Sequence, residues 1–120
     1  MRFFILLLLA ATPGFANTWS GFLVDSKCYA AQERNVNPKD SQPHVDRDMA
    51  LQIQYCSPRA KTKSFAVVQD DWSSLKFDSN GNMKASELVQ KTAKRDFMRV
   101  VVNGQLNQRT IAVSSISVTP

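Results

Sequence analysis

FMRVVVNGQLNQRTIAVSSISV, residues 97–118, decides the fold class. It holds two β-branched runs, 97–106 and 110–118, each the length of a strand. Val100 and Val102 alternate and lead into Gly104. In the second run Ile111 and Val113 share one parity, whereas Ile116 and Val118 share the other. A strand keeps its apolar side chains at a period of two, so one residue must be absorbed near Ser114 and Ser115. This predicts a β-bulge there.

Working back from this pair, residues 83–94 read as a helix with Ala85, Leu88, Val89 and Thr92 along one stripe. Lys91, Lys94 and Arg95 gather at its end, where cations offset the helix dipole. Asn80-Gly81 reads as a turn. Residues 75–79 form a third strand with Leu75 and Phe77 on one face, and 64–70 a second with Phe65 and Val67. Residues 18–25 form the first strand, and its interior Gly21 suggests a bend or bulge. Between the first and second strands, residues 28–45 lack periodicity and read as an irregular excursion. A helix then follows over 46–55. Asp46 is its N-cap, Asp48 lies in its first turn, and Met49, Ile53 and Cys56 share one face. Pro58 ends it. Five short strands with a helix between the third and fourth is the element order of an OB-fold barrel. The expected fold is therefore mainly β: an OB-like five-stranded barrel with two short helices and one disulfide. A small α+β sheet or a sandwich is the competing architecture.

The chain starts Met1-Arg2, runs apolar from 3 to 11, and then breaks at Thr12-Pro13-Gly14 before Ala16. This is the pattern of a signal peptide over 1–16, cleaved after Ala16. The apolar run is roughly half of the ~20 residues a membrane span needs. Residues 17–120 are expected to be a single domain working in a periplasm or outside the cell, with no transmembrane segment after cleavage. Cys28 and Cys56 are the only cysteines. In an exported chain they read as one disulfide. A redox or metal pair is disfavoured, because no C-x-x-C spacing is present.

GFLVDSKC at 21–28 resembles the start of a group of small exported bacterial proteins. Those begin with a glycine strand flanked by tryptophan or tyrosine, continue into D-x-x-C, and end in V-x-V-x-G and I-x-V-x-x-I strands. Here those are Val100, Val102 and Gly104, then Ile111, Val113 and Ile116. The resemblance implies an OB-like barrel and transfers neither an activity nor a site. Members often carry further cysteines near the second position, where this chain has only Cys56.

Several residues invite a chemical reading. His44, the one histidine, stands among Asp40, Asp46 and Asp48. An imidazole with carboxylates can hold a divalent metal, and a metal-dependent hydrolase centred on His44, Asp46 and Asp48 is the alternative function. The preferred reading is a solvated loop entering an acidic helix start, with no cofactor. Asp78-Ser79-Asn80-Gly81-Asn82 with Glu87 superficially suggests a calcium loop. An EF-hand needs its glycine sixth and its glutamate twelfth, and here they fall fourth and tenth. A turn entering a helix accounts for the same residues.

The chain carries a formal charge of +5, with Lys61, Lys63, Lys91, Lys94, Arg95 and Arg99 contributing. OB-folds often bind oligonucleotides through a basic groove and stacking aromatics. The aromatics here fall mostly at core positions, and export removes the usual nucleic-acid partner, so nucleic acid is not expected. The charge reads as solvated surface, with a weak attraction to anionic envelope polymers as the functional option. Trp72 falls at a hairpin tip, either as an exposed contact residue or folded over the barrel mouth. Trp72 and Asp25 are the candidate binding residues. The expected function is an exported binding or structural module with an envelope or extracellular partner.

Overall fold

The computed structural model describes residues 16–33, 41–92 and 97–119. The expected signal peptide lies outside the described residues except for Ala16, as do Asp40, Lys94 and Arg95. The strands are β1 (Asn17–Asp25), β2 (Phe65–Val68), β3 (Ser74–Phe77), β4 (Arg99–Asn107) and β5 (Thr110–Val118). The helices are α1 (Ser26–Glu33), α2 (Gln42–Tyr55) and α3 (Ser79–Lys91).

The five strands close into one sheet in the order β1-β2-β3-β5-β4. Closure depends on β1 serving two neighbours. Its first half, Asn17 to Phe22, pairs with β4, and its second half, Phe22 to Asp25, pairs with β2. Gly21 stands where one partner gives way to the other. A Cβ there would overlap the carbonyl oxygen of Val68, so only glycine lets β1 approach β2 this closely. The expected bulge is present in the β4–β5 hairpin. Asn103 faces Ser115 and Gly104 faces Val113, which leaves Ser114 as the extra residue. The expected closed layout of five strands with a helix between β3 and β4 therefore forms, within a fold that is α+β in content, because the described helices hold as many residues as the strands.

Two apolar clusters use the two faces of the sheet. Leu23, Phe65, Val67, Phe77, Val100, Val102, Ile111 and Val113 fill the interior, and Ala85, Leu88 and Val89 of α3 pack against them. On the outer face of β1 and β2, Val24, Ala66 and Val68 are covered by Tyr29, Met49, Ile53 and Cys56. All four residues of β2 are buried for this reason. The expected inward face of the second helix is confirmed at Met49, Ile53 and Cys56.

Three helix boundaries differ from expectation, for related reasons. The described residues hold three helices and not two, because residues 26–33 form α1 where an irregular excursion was expected. Asp25 makes this possible by accepting from the N–H groups of Lys27 and Cys28, which the first turn leaves unpaired. The next helix, α2, begins at Gln42 and not at Asp46, with Ser41 as N-cap and Pro43 in its first turn. Proline is tolerated there because that turn needs no N–H from it. The third helix, α3, begins at Ser79 and not at Met83, so Asn80 and Gly81 are helical and not a turn.

Candidate functional site

The excursion between β1 and β2 is fixed at its base. Cys28 in α1 and Cys56 at the end of α2 form the expected disulfide, with their Cα atoms 5.5 Å apart. Beside it, Asp25 N–H donates to Cys56 O at 2.8 Å and Ser26 N–H to Ser64 O at 3.0 Å. The Asp25 carboxylate caps α1 and also accepts from the buried Thr62 hydroxyl at 3.2 Å. Candidate residue Asp25 thus stands at the junction of strand, helix and the loop before β2.

Trp72 lies at the tip of the β2–β3 hairpin, as expected, and is half-buried against the outer cluster. Its backbone has φ 71°, a left-handed conformation that costs a bulky residue about 1–3 kcal/mol. Two contacts from the excursion hold it there. The Tyr29 hydroxyl donates to Trp72 O at 2.8 Å, and the indole Nε1–H donates to Asp46 Oδ1 at 2.8 Å. Gln42 Nε2 donates to the same oxygen at 2.8 Å. These bonds hold the Asp46 carboxyl below its ordinary pKa, Gln42 first and Trp72 second, against a small opposing effect of burial.

His44, Asp46 and Asp48 all sit on exposed positions of α2. His44 Nδ1 lies 2.9 Å from the Arg47 guanidinium, while Asp46 turns to Gln42 and Trp72. Among the described residues no three His, Cys, Asp or Glu side chains are grouped to hold a metal ion.

The residues resembling a calcium loop join α3 to the sheet. Asp78 Oδ1 accepts from Gly81 N–H at 2.9 Å, capping the helix, and from Val113 N–H at 3.2 Å. Asn80 Nδ2 donates to Val113 O, and Asn82 Oδ1 accepts from Phe65 N–H, both at 2.9 Å. A Cβ on Gly81 would overlap the Val113 side chain, so the glycine serves helix–strand contact.

A feature that sequence reasoning missed lies on the far side of α3. Lys84, Glu87, Leu88 and Lys91 face Ser115 and Ile116 of β5 across a cleft of about 240 Å³. Lys84, Leu88 and Lys91 are spaced i, i+4, i+7, which puts them on one helix face. That spacing is visible in the sequence. What the sequence does not show is that this face lies alongside β5.

No family model, no curated protein and no solved structure matches this chain. The arrangement of its own residues therefore carries the functional reading.

Proposed function

We propose that the chain is an exported binding module on an OB-like barrel, meeting a partner in the cell envelope or outside the cell. Three features support this reading. The sheet order, with β1 shared between two neighbours and a helix between β3 and β4, suits an OB-like barrel. The disulfide suits an oxidising compartment, and no described helix is long and apolar enough to cross a membrane. The signal-like residues 1–16 and the resemblance at 21–28 point the same way.

The observation that carries the reading is how the acidic side chains are used. Asp25, Asp46 and Asp78 each accept two or more hydrogen bonds, and at least one of them in each case joins separate elements of the fold. Open clefts lined in part by lysines remain beside α3. In OB-folds the β2–β3 face often serves oligonucleotides. Here Ala66 and Val68, on the outer face of β2, lie beneath the stapled excursion, so contact falls to other surfaces.

The test has two steps. Expressed in a bacterium, the full chain should appear in the envelope or medium starting at Asn17, with its two cysteines oxidised. Immobilised in that form, it should retain an envelope component that free oxidised protein displaces. A chain held in the cytoplasm with free thiols, or no saturable retention, overturns the reading.

A further inference from the structure

We infer that the cleft between α3 and the outer edge of β5 takes an extended acidic peptide segment of a partner protein as an added strand. This deepens the binding-module reading and rests on it.

The edge follows from the strand register. Thr119 N–H donates to Arg99 O at 2.8 Å, and Val100 faces Val118 while Val102 faces Ile116. Bonded and non-bonded pairs alternate along an antiparallel ladder. Ile116 and Val118 therefore point their N–H and C=O groups away from β4. On that side β3 pairs with β5 only at Thr110 and Ile111. Asp78 and Asn80 then occupy the N–H and C=O of Val113. Past the extra residue Ser114, no hydrogen bond from another described residue reaches the outward backbone groups of Ile116 and Val118. An exposed strand edge is a template for pairing with another chain.

The surroundings select the occupant. Lys84 and Lys91 stand about 10 Å apart along α3 at 1.5 Å per residue, matching about three residues of extended chain. They outnumber the single carboxylate of Glu87 in the cleft. Leu88 and Ile116 supply apolar contact between them. A second copy of the chain would bring lysines against lysines, and charged side chains of this kind oppose edge-to-edge self-pairing. An acidic strand meets both requirements: its carboxylates face the ammonium groups, and its backbone completes the edge. A polyanion without a peptide backbone would use the lysines alone.

The test uses the oxidised, ¹⁵N-labelled protein. It is titrated with the acetylated pentapeptide Glu-Val-Glu-Val-Glu, with Lys-Val-Lys-Val-Lys, and with phosphatidylglycerol vesicles. The glutamate peptide should bind saturably, and the amides of Ile116 and Val118 should shift most and exchange more slowly with solvent. The lysine peptide should not bind. Lys84→Glu/Lys91→Glu should weaken binding about tenfold, as should Ile116→Pro, which removes an edge N–H that β4 does not use. The double lysine variant changes one exposed and one half-buried position, neither of them in the core, so it tests the proposal even if the proline variant fails to fold. Shifts spread over the lysines that leave Ile116 and Val118 unmoved would overturn the proposal. So would vesicles that compete as well as the peptide, or unchanged affinity in the double variant. If the envelope component is retained equally by the wild type and the double variant, the cleft proposal fails while the module reading stands. If the wild type retains nothing, the module reading fails.

Discussion

The indole Nε1–H of Trp72 donates to Asp46 Oδ1 at 2.8 Å, joining the tip of the β2–β3 hairpin to the first turns of α2. Gln42 shares that oxygen, and Tyr29 holds the carbonyl of the same tryptophan. Asp46 is thereby the hinge of a small network that keeps the excursion seated on the barrel.

This network predicts an acid-sensitive step. The Asp46 carboxyl is held below its ordinary value of 3.8, so its charged form is favoured in the folded protein. Its contribution to stability is present above the unfolded value and is lost as pH falls through the lower folded one. The Nε1–H resonance of Trp72, followed by NMR into acid, should therefore move with a midpoint below 3.8. Asp46→Asn should abolish that movement. A midpoint at or above 3.8 would mean that the contact does not form in solution.

Gly21 makes a steric prediction. A Cβ at this position meets the backbone carbonyl of Val68, which cannot move without breaking the β1–β2 ladder. Gly21→Ala should destabilise the domain by about 3 kcal/mol, at the upper end of overpacking costs. Ser20→Ala, at the exposed neighbouring position, should stay within about 0.5 kcal/mol. Urea unfolding of the two variants measures the contrast.

These positions also show what could be read from the chain alone. The bulge at Ser114 was legible because a parity change along one strand needs no knowledge of its neighbours. That Gly21 has a structural role was legible because an interior strand glycine is locally unfavourable and needs a reason, but a bend or bulge was expected and the reason found is the close approach of the Val68 carbonyl. The starts of α2 and α3 were misplaced because proline and glycine stand in their first turns, at Pro43 and Gly81, and locally read as breakers. Pro43 is tolerated because the first turn of α2 needs no N–H from it, and Gly81 is kept helical by the Asp78 cap just before it and by a close contact with Val113. The bond from Trp72 to Asp46 spans 26 positions, and no periodicity links such residues. The cleft beside β5 was hidden likewise, because it depends on which helix face lies against an edge that only the sheet order defines.

The disulfide separates two levels of stability. In the chain-entropy account a loop of this size contributes about 3–4 kcal/mol. The crosslink closes the excursion and not the barrel, whose strands pair independently of it. Cys28→Ser/Cys56→Ser should therefore lose hydrogen-exchange protection first in α1 and α2, while amides of the β4–β5 hairpin keep theirs. Uniform loss of protection in both regions would show instead that the excursion and the barrel unfold as one unit.

Asp78 distinguishes a structural role from a cation-binding one. Its Oδ1 accepts from both Gly81 and Val113, so it caps α3 and fixes β5 with the same atom. Asparagine can cap a helix about as well as aspartate, because its side-chain oxygen accepts the same bond. Asp78→Asn should therefore keep most of the stability, whereas Asp78→Ala should lose about 2 kcal/mol, since a cap alone accounts for about 1 and a second buried N–H loses its acceptor. Thermal unfolding of both variants, with and without millimolar calcium, decides the matter. A calcium-dependent rise in the wild type that vanishes in Asp78→Asn would assign the carboxylate to a cation. Equal behaviour of wild type and Asp78→Asn under both conditions assigns it to the join between α3 and β5. The geometry predicts the second outcome, because both bonds need only an acceptor oxygen and neither needs the negative charge.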